Sequence, residues 1–232
     1  MKSNKEQLQS RGFVTDDDLL VYNTLNESQL IESKEPQKRT IGIKLLSKYN
    51  KEEYIPLFCK LLEKENKLYT KIALCDALIE YKEKSVPFLL PLVGTIGNNQ
   101  HKKIEIIDLD KKSYPLPRDI IARILIRIGP KVFPEIKEII KLNKNHNQIT
   151  ELIDVVGHIS WNFNDTSLEN ILIEFYNKNK EHEFMVWKII RAFQSFNSQK
   201  VIDILENTIK TNKNDVIVAE AKRSIKRIKE RK

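Results

Sequence analysis

The chain has two cysteines in 232 residues, too few for the disulfide framework of a small secreted domain. Cys59 and Cys75 each fall at an apolar helical position, so both read as small core residues in a reducing cytoplasm. Apolar runs of membrane length are missing: the stretch over 88–96 is far too short to span a bilayer, and Pro91 and Gly94 interrupt it. The opening MKSNKEQLQS lacks the apolar core of a signal peptide. The six glycines form no phosphate-cradling loop, and Gly94-Thr95-Ile96-Gly97 reads as an ending helix. The four histidines, His101, His146, His158 and His182, show no metal-ligand spacing. No catalytic residue, metal or cofactor is assigned on these grounds.

What the sequence has is helical periodicity that repeats. Ile55, Phe58, Leu61 and Leu62 line one side of a helix, and Ile72, Cys75, Leu78 and Ile79 line one side of the next. Ile41 to Ala73, Leu46 to Leu78, Val186 to Val218 and Phe193 to Ile225 are each separated by 32 residues. A fixed period of this size is the signature of a solenoid, whose units bury their apolar faces by stacking. Expected helical pairs are 52–64 with 68–81, 84–96 with 117–128, 130–142 with 147–161, 166–179 with 182–196, and 199–211 with 215–229. Residues 1–14 are polar and expected to be mobile, and 15–232 to form one array. An insertion over 97–117 interrupts the second pair, and Ile104-Glu105-Ile106 within it alternates as a short extended excursion would. A loop this long in a compact array is either functional or disordered.

The formal net charge of +8 is concentrated at one end. Residues 1–96 carry 15 basic and 14 acidic side chains, and 97–221 carry 18 and 17. The last eleven residues, KRSIKRIKERK, carry seven and one. The body is close to neutral, which weakens an extended phosphate-tracking surface. In the tail, Ile225 and Ile228 are expected to face the last layer, with Lys222, Arg223, Lys226, Arg227 and Lys229 toward water.

Three first helices carry a proline one turn in: Tyr54-Ile55-Pro56-Leu57, Ser85-Val86-Pro87-Phe88 and Val132-Phe133-Pro134-Glu135. Two second helices open on a basic residue before small or apolar ones, Lys38-Arg39-Thr40-Ile41 and Thr70-Lys71-Ile72-Ala73. In these features the chain resembles the HEAT-repeat family, in its short form related to phycobilisome-lyase repeats, over roughly 26–229. The resemblance implies an all-α, right-handed superhelix of about six hairpins whose second helices line the concave side. It implies fold more than function.

The phase of those second helices selects candidate contact residues. Arg123 and Arg127 point away from the apolar set of their helix, as do Lys188 and Arg191 on theirs. His158 and Arg223 follow at corresponding places, and upstream Asp76 and Glu80 do so. A groove acidic at one end and basic at the other suits a charged protein segment; a solvated polar face is the plainer reading. Trp161 and Trp187 beside these arginines are either an interaction hot spot or filling between irregular repeats. Asp154 and His158 stand four residues apart on one helix, where an Asp–His pair orients a general base or simply decorates the surface. The expected function is a non-catalytic scaffold binding a protein partner through Arg123, Arg127, His158, Trp161, Trp187, Arg191 and Arg223. The alternative is nucleic-acid binding through the basic tail or groove. There the chain is similar to HEAT-like DNA-alkylation-repair glycosylases, with Trp161, Trp187, Arg191 and Asp154 as rough analogues. It lacks that family's contiguous aromatic–acid motif.

Overall fold

The computed structural model describes residues 4–22, 26–106, 111–142 and 144–231. All regular secondary structure among them is helical. No helix among the described residues is long and apolar enough to cross a membrane. Contacts divide the chain into two compact units, Met1–Leu90 and Pro91–Lys232, where periodicity alone predicts one array.

The first unit holds α1 (Lys5–Gln9), α2 (Asp16–Tyr22), α3 (Glu27–Ile31), α4 (Pro36–Lys48), α5 (Tyr54–Lys64), α6 (Leu68–Glu80) and α7 (Val86–Leu89). Residues 4–14 are folded onto it rather than trailing; residues 1–3 lie outside the described set. Asn4 and Gln7 cap α1 reciprocally. The Arg11 carbonyl accepts the Tyr69 amide at 3.0 Å, and Phe13 meets the Tyr69 ring edge to face. Val14 is buried with Leu30, Ile41 and Leu45. Gly12 makes this approach possible. Its φ is +87°, and a Cβ there would stand 2.3 Å from the Thr70 hydroxyl and 2.8 Å from that of Thr40. Those two hydroxyls are themselves hydrogen-bonded at 2.9 Å.

In α5 the expected face holds, with Ile55, Phe58 and Leu62 fully buried. In α6 it is rotated: Ala73, Leu74, Ala77 and Leu78 are buried, while Ile72 is exposed. This helix is apolar nearly all round, so periodicity alone sets its phase poorly. Neither Cys59, which is buried, nor Cys75, which is partly exposed, is in a disulfide. Burial pushes the Cys59 thiol up to about 11, which makes it inert at neutral pH. The continuous helix expected over 84–96 is broken into a 3-10 turn (Lys82–Ser85), α7 and a second 3-10 turn (Leu90–Leu92). Pro87 and Pro91 are the cause: Pro91 has no N–H to return to the carbonyl of Pro87.

The second unit holds α8 (Ile120–Ile128), α9 (Phe133–Leu142), α10 (His146–Phe163), α11 (Glu169–Lys178), α12 (Glu183–Ala192), α13 (Gln199–Thr211) and α14 (Asp215–Glu230). The second helices α8, α10, α12 and α14 pack in succession, and α9 packs on α11. α4 and α6 start 32 residues apart, as do α12 and α14, which is the period read from the apolar pattern. Gly129, at φ +90°, turns the chain between α8 and the 3-10 turn Pro130–Val132. Asn164, in the left-handed region, ends α10. Side chains of Asn145, Ser198 and Asn214 cap α10, α13 and α14.

The described part of 97–119 is irregular, so the alternation at Ile104-Glu105-Ile106 does not mark a strand; residues 107–110 lie outside the described set. The ends of this segment are fastened by Asp119, which is fully buried. Its carboxylate caps α8 by accepting the Ala122 amide at 2.8 Å, and it also accepts the Gly94 amide at 3.1 Å and Gln100 Nε2 at 2.8 Å. One acid thus ties the entry of the segment to the helix that follows it.

Candidate functional site

The polar centre of the second unit lies between α10 and α12. Lys188 Nζ donates to Asp154 Oδ2 at 2.5 Å and to Glu151 Oε1 at 3.2 Å, and Arg191 Nη2 donates to Asp154 Oδ1 at 2.8 Å. All four side chains are 5% exposed or less. The pairing follows from helix spacing. Glu151 and Asp154 are one turn apart on α10, Lys188 and Arg191 one turn apart on α12, and the two helices run side by side.

The segment 97–119 closes this cluster. His101 places Nδ1 3.4 Å from Lys188 Nζ and its ring edge on to Trp187, centroids 5.2 Å apart. Arg191 stacks over the Trp187 ring at 4.4 Å. Further along, Tyr114 is buried with its ring on Gly157 and edge-on to His158. A Cβ on Gly157 would stand 2.0 Å from the Tyr114 hydroxyl, so a glycine in the middle of α10 is what admits the tyrosine. Several buried polar atoms here have no hydrogen-bond partner among the described residues: His101 Nε2, Tyr114 OH, Glu151 Oε2, Trp187 Nε1 and Arg191 Nε. Such groups cost about 1–3 kcal/mol each, a load this part of the fold carries and an apolar core does not.

The electrostatics follow from burial and neighbours. Burial raises the Asp154 carboxyl, but Arg191 and Lys188 outweigh it and hold it below the ordinary value. Glu151 is raised, burial prevailing over Lys188. His101 is lowered from 6.5 to about 3, first by burial and then by Lys188 and Arg191. The unfolded chain therefore takes up a proton near pH 6.5 that the folded chain refuses until about pH 3. The stability His101 provides is intact above the first value and lost through that window as pH falls. Glu151 acts in the opposite sense, adding stability as pH falls toward its unfolded value. His101→Phe isolates the histidine. The stability of the wild type relative to the variant is expected to fall between about pH 7 and about pH 4, measured by urea denaturation. A constant difference across that range defeats the assignment of a neutral buried imidazole.

The residues singled out from sequence are divided by the fold. Arg123 and Arg127 are exposed on α8, as expected; Arg123 Nε also donates to the Pro117 carbonyl at 2.7 Å. His158 and Trp161 are partly exposed on α10. Trp187, Lys188 and Arg191 do not point outward: they are 0%, 0% and 1% exposed. Their helix is covered on every side, so its polar stripe meets α10 and the 97–119 segment instead of solvent. Arg223 and Arg227 in the tail are also buried. Arg223 pairs with Glu220 at 2.6 Å and Arg227 with Glu230, and among the described residues the exposed tail cations are Lys222, Lys226 and Lys229. The tail's charge is thus partly spent inside the fold, which removes support from the phosphate-binding alternative.

Asp154 and His158 do not form a base pair, because both Asp154 oxygens are taken by Lys188 and Arg191, while His158 Nδ1 lies 3.2 Å from Asn162 Nδ2. Sequence reasoning missed Glu151, His101 and Tyr114; Gly157, an isolated glycine inside a helical pattern, was the available signal of a close approach. Trp161 carries the Arg231 guanidinium over its ring at 4.8 Å. Beside it lies an open hollow of about 370 Å³ lined by Lys112, Trp161, Arg227, Glu230 and Arg231. Among the described residues, no three His, Cys, Asp or Glu side chains are placed to hold a metal ion together. Comparison with protein-family models, curated proteins and solved structures found no match to this chain.

Proposed function

We propose that the chain is a non-catalytic binding module of HEAT-like helical repeats, right-handed in its superhelix, that takes an acidic, extended segment of a protein partner. One observation carries the reading. The row of second helices already seats side chains from irregular polypeptide, because the chain's own His101 and Tyr114 rest on α12 and α10. A face that accommodates irregular backbone and anchors it by single aromatic side chains has the chemistry of peptide recognition. The accessible remainder of the row is basic and aromatic: Arg123, Arg127, His158 and Trp161, with Lys112 and Arg231 beside the tryptophan. That composition favours carboxylates, and aromatic–arginine neighbours supply binding energy where they are desolvated.

The test is reversal of charge on α8. Partners recovered by affinity purification are purified and titrated against the chain and against the double variant Arg123→Glu/Arg127→Glu. Affinity is expected to fall at least tenfold in the variant and to weaken with added salt in the wild type. Helicity should hold, and the melting temperature should fall only by what the Arg123–Pro117 hydrogen bond contributes, about 1 kcal/mol. Equal affinity of variant and wild type removes this face from consideration.

A further inference from the structure

Two histidines 36 positions apart in sequence (182 − 146) meet at the surface of the second unit. His146 is the first residue of α10 and His182 the N-cap of α12. The packing of these helices brings their rings edge to face, with centroids 5.0 Å apart and planes at 74°. Both side chains are exposed, and neither touches the polar centre described above.

We propose that His146 and His182 together chelate one late first-row divalent cation, with water completing its coordination. The ring separation is what a shared ion requires. With metal–nitrogen bonds of about 2.1 Å, two imidazoles at a ligand angle of roughly 90–109° hold their centroids roughly 4.5–5.3 Å apart. The observed 5.0 Å lies inside that span, and rotation of the two exposed side chains about their own torsions turns one nitrogen of each toward a common ion while the helices stay in place. Imidazole selects copper, nickel and zinc over magnesium and calcium, with Cu²⁺ bound most strongly. The positive helix ends oppose a cation, and the exposed carboxylates of Glu181 and Glu183 on either side of His182 offset them. Edge-to-face packing alone also brings two rings to this distance, but it makes no demand for a metal and leaves the site inert. An ion held by two protein nitrogens keeps open positions, which a carboxylate or imidazole from outside the chain can fill.

Calorimetric titration of the full chain with Ni²⁺ decides the matter; nickel does not oxidise the thiols of Cys59 and Cys75. One ion is expected per chain. His146→Gln and His182→Gln should each weaken binding at least tenfold, while His158→Gln leaves it unchanged. Cu²⁺ should bind more tightly than Ni²⁺ or Zn²⁺. Ni²⁺ should raise the melting temperature of the wild type and not of the two variants. Unchanged melting of the metal-free variants shows that loss of binding is not loss of fold. The proposal is overturned if wild type takes up no Ni²⁺ saturably at millimolar concentration, or if neither substitution weakens uptake.

Discussion

Asp154→Ala is expected to lower the stability of the second unit by about 3–5 kcal/mol, because it strands Arg191 without its carboxylate and leaves Lys188 one carboxylate, that of Glu151, in place of two. Breaking one member of a buried ion cluster uncovers the desolvation cost of the others, which the low-dielectric surroundings magnify. Trp161 and Trp187 are the chain's two tryptophans, and both belong to the second unit. Their fluorescence during guanidinium denaturation therefore reports that unit alone, which matters because a two-unit chain need not unfold in a single step. The instructive companion is the apolar replacement Glu151→Leu/Asp154→Leu/Lys188→Met/Arg191→Met. Removing all four charges together relieves the desolvation cost, so this variant is expected to be as stable as wild type or more so. If Asp154→Ala costs less than about 1 kcal/mol, the cluster is solvated and its pairs act as surface pairs do. If the apolar variant is stable yet fails to bind the partner, the charges serve recognition rather than folding.

The helices were legible because each is written locally. Amphipathic spacing and the first-turn prolines at 56 and 134 place α5, α6 and α9 to α14 within a few residues. What failed to read was anything set by a non-local neighbour. Lys188 and Arg191 look solvent-facing in sequence because charged residues usually are. Only the arrival of Glu151, Asp154 and the 97–119 segment makes them interior. The same holds for Arg223 and Arg227, which a basic run at a helix C-terminus presents as surface charge until Glu220 and Glu230 are placed beside them. His101 and Tyr114 sit in the one stretch without periodicity, so no pattern could dock them. Conversely, His146 and His182 lack any metal-ligand spacing in the linear chain, yet helix packing supplies the proximity that spacing did not. Periodic signals give elements and their order; the chemistry of this fold sits where elements from distant parts of the sequence meet.

Gly157→Ala is expected to change the sign of its effect according to what stands at position 114. In the wild type a methyl group at 157 collides with the Tyr114 ring, whose hydroxyl, Cζ and Cε2 would lie 2.0, 2.5 and 2.9 Å away. The tyrosine is buried on all sides, and its position is shared with His158 and Trp161, so it has nowhere close to retreat. Overpacking of this kind costs about 1–3 kcal/mol, and expulsion of the ring should open the 97–119 segment to limited proteolysis. Tyr114→Ala alone removes a large buried side chain and should cost about 3–5 kcal/mol. In that background the collision is gone, and only the backbone preference remains. Alanine in a helix interior is favoured over glycine by about 1 kcal/mol, so Gly157→Ala now stabilises. The coupling between the two positions, from a double-mutant cycle in guanidinium, is therefore expected to be about 2–4 kcal/mol. Near-additivity would mean that Tyr114 does not rest on α10, and the segment would lose its role as the occupant of that face. Strong coupling would instead make Gly157 the notch that seats a tyrosine on the row of second helices, and a partner's aromatic anchor would compete for the same notch.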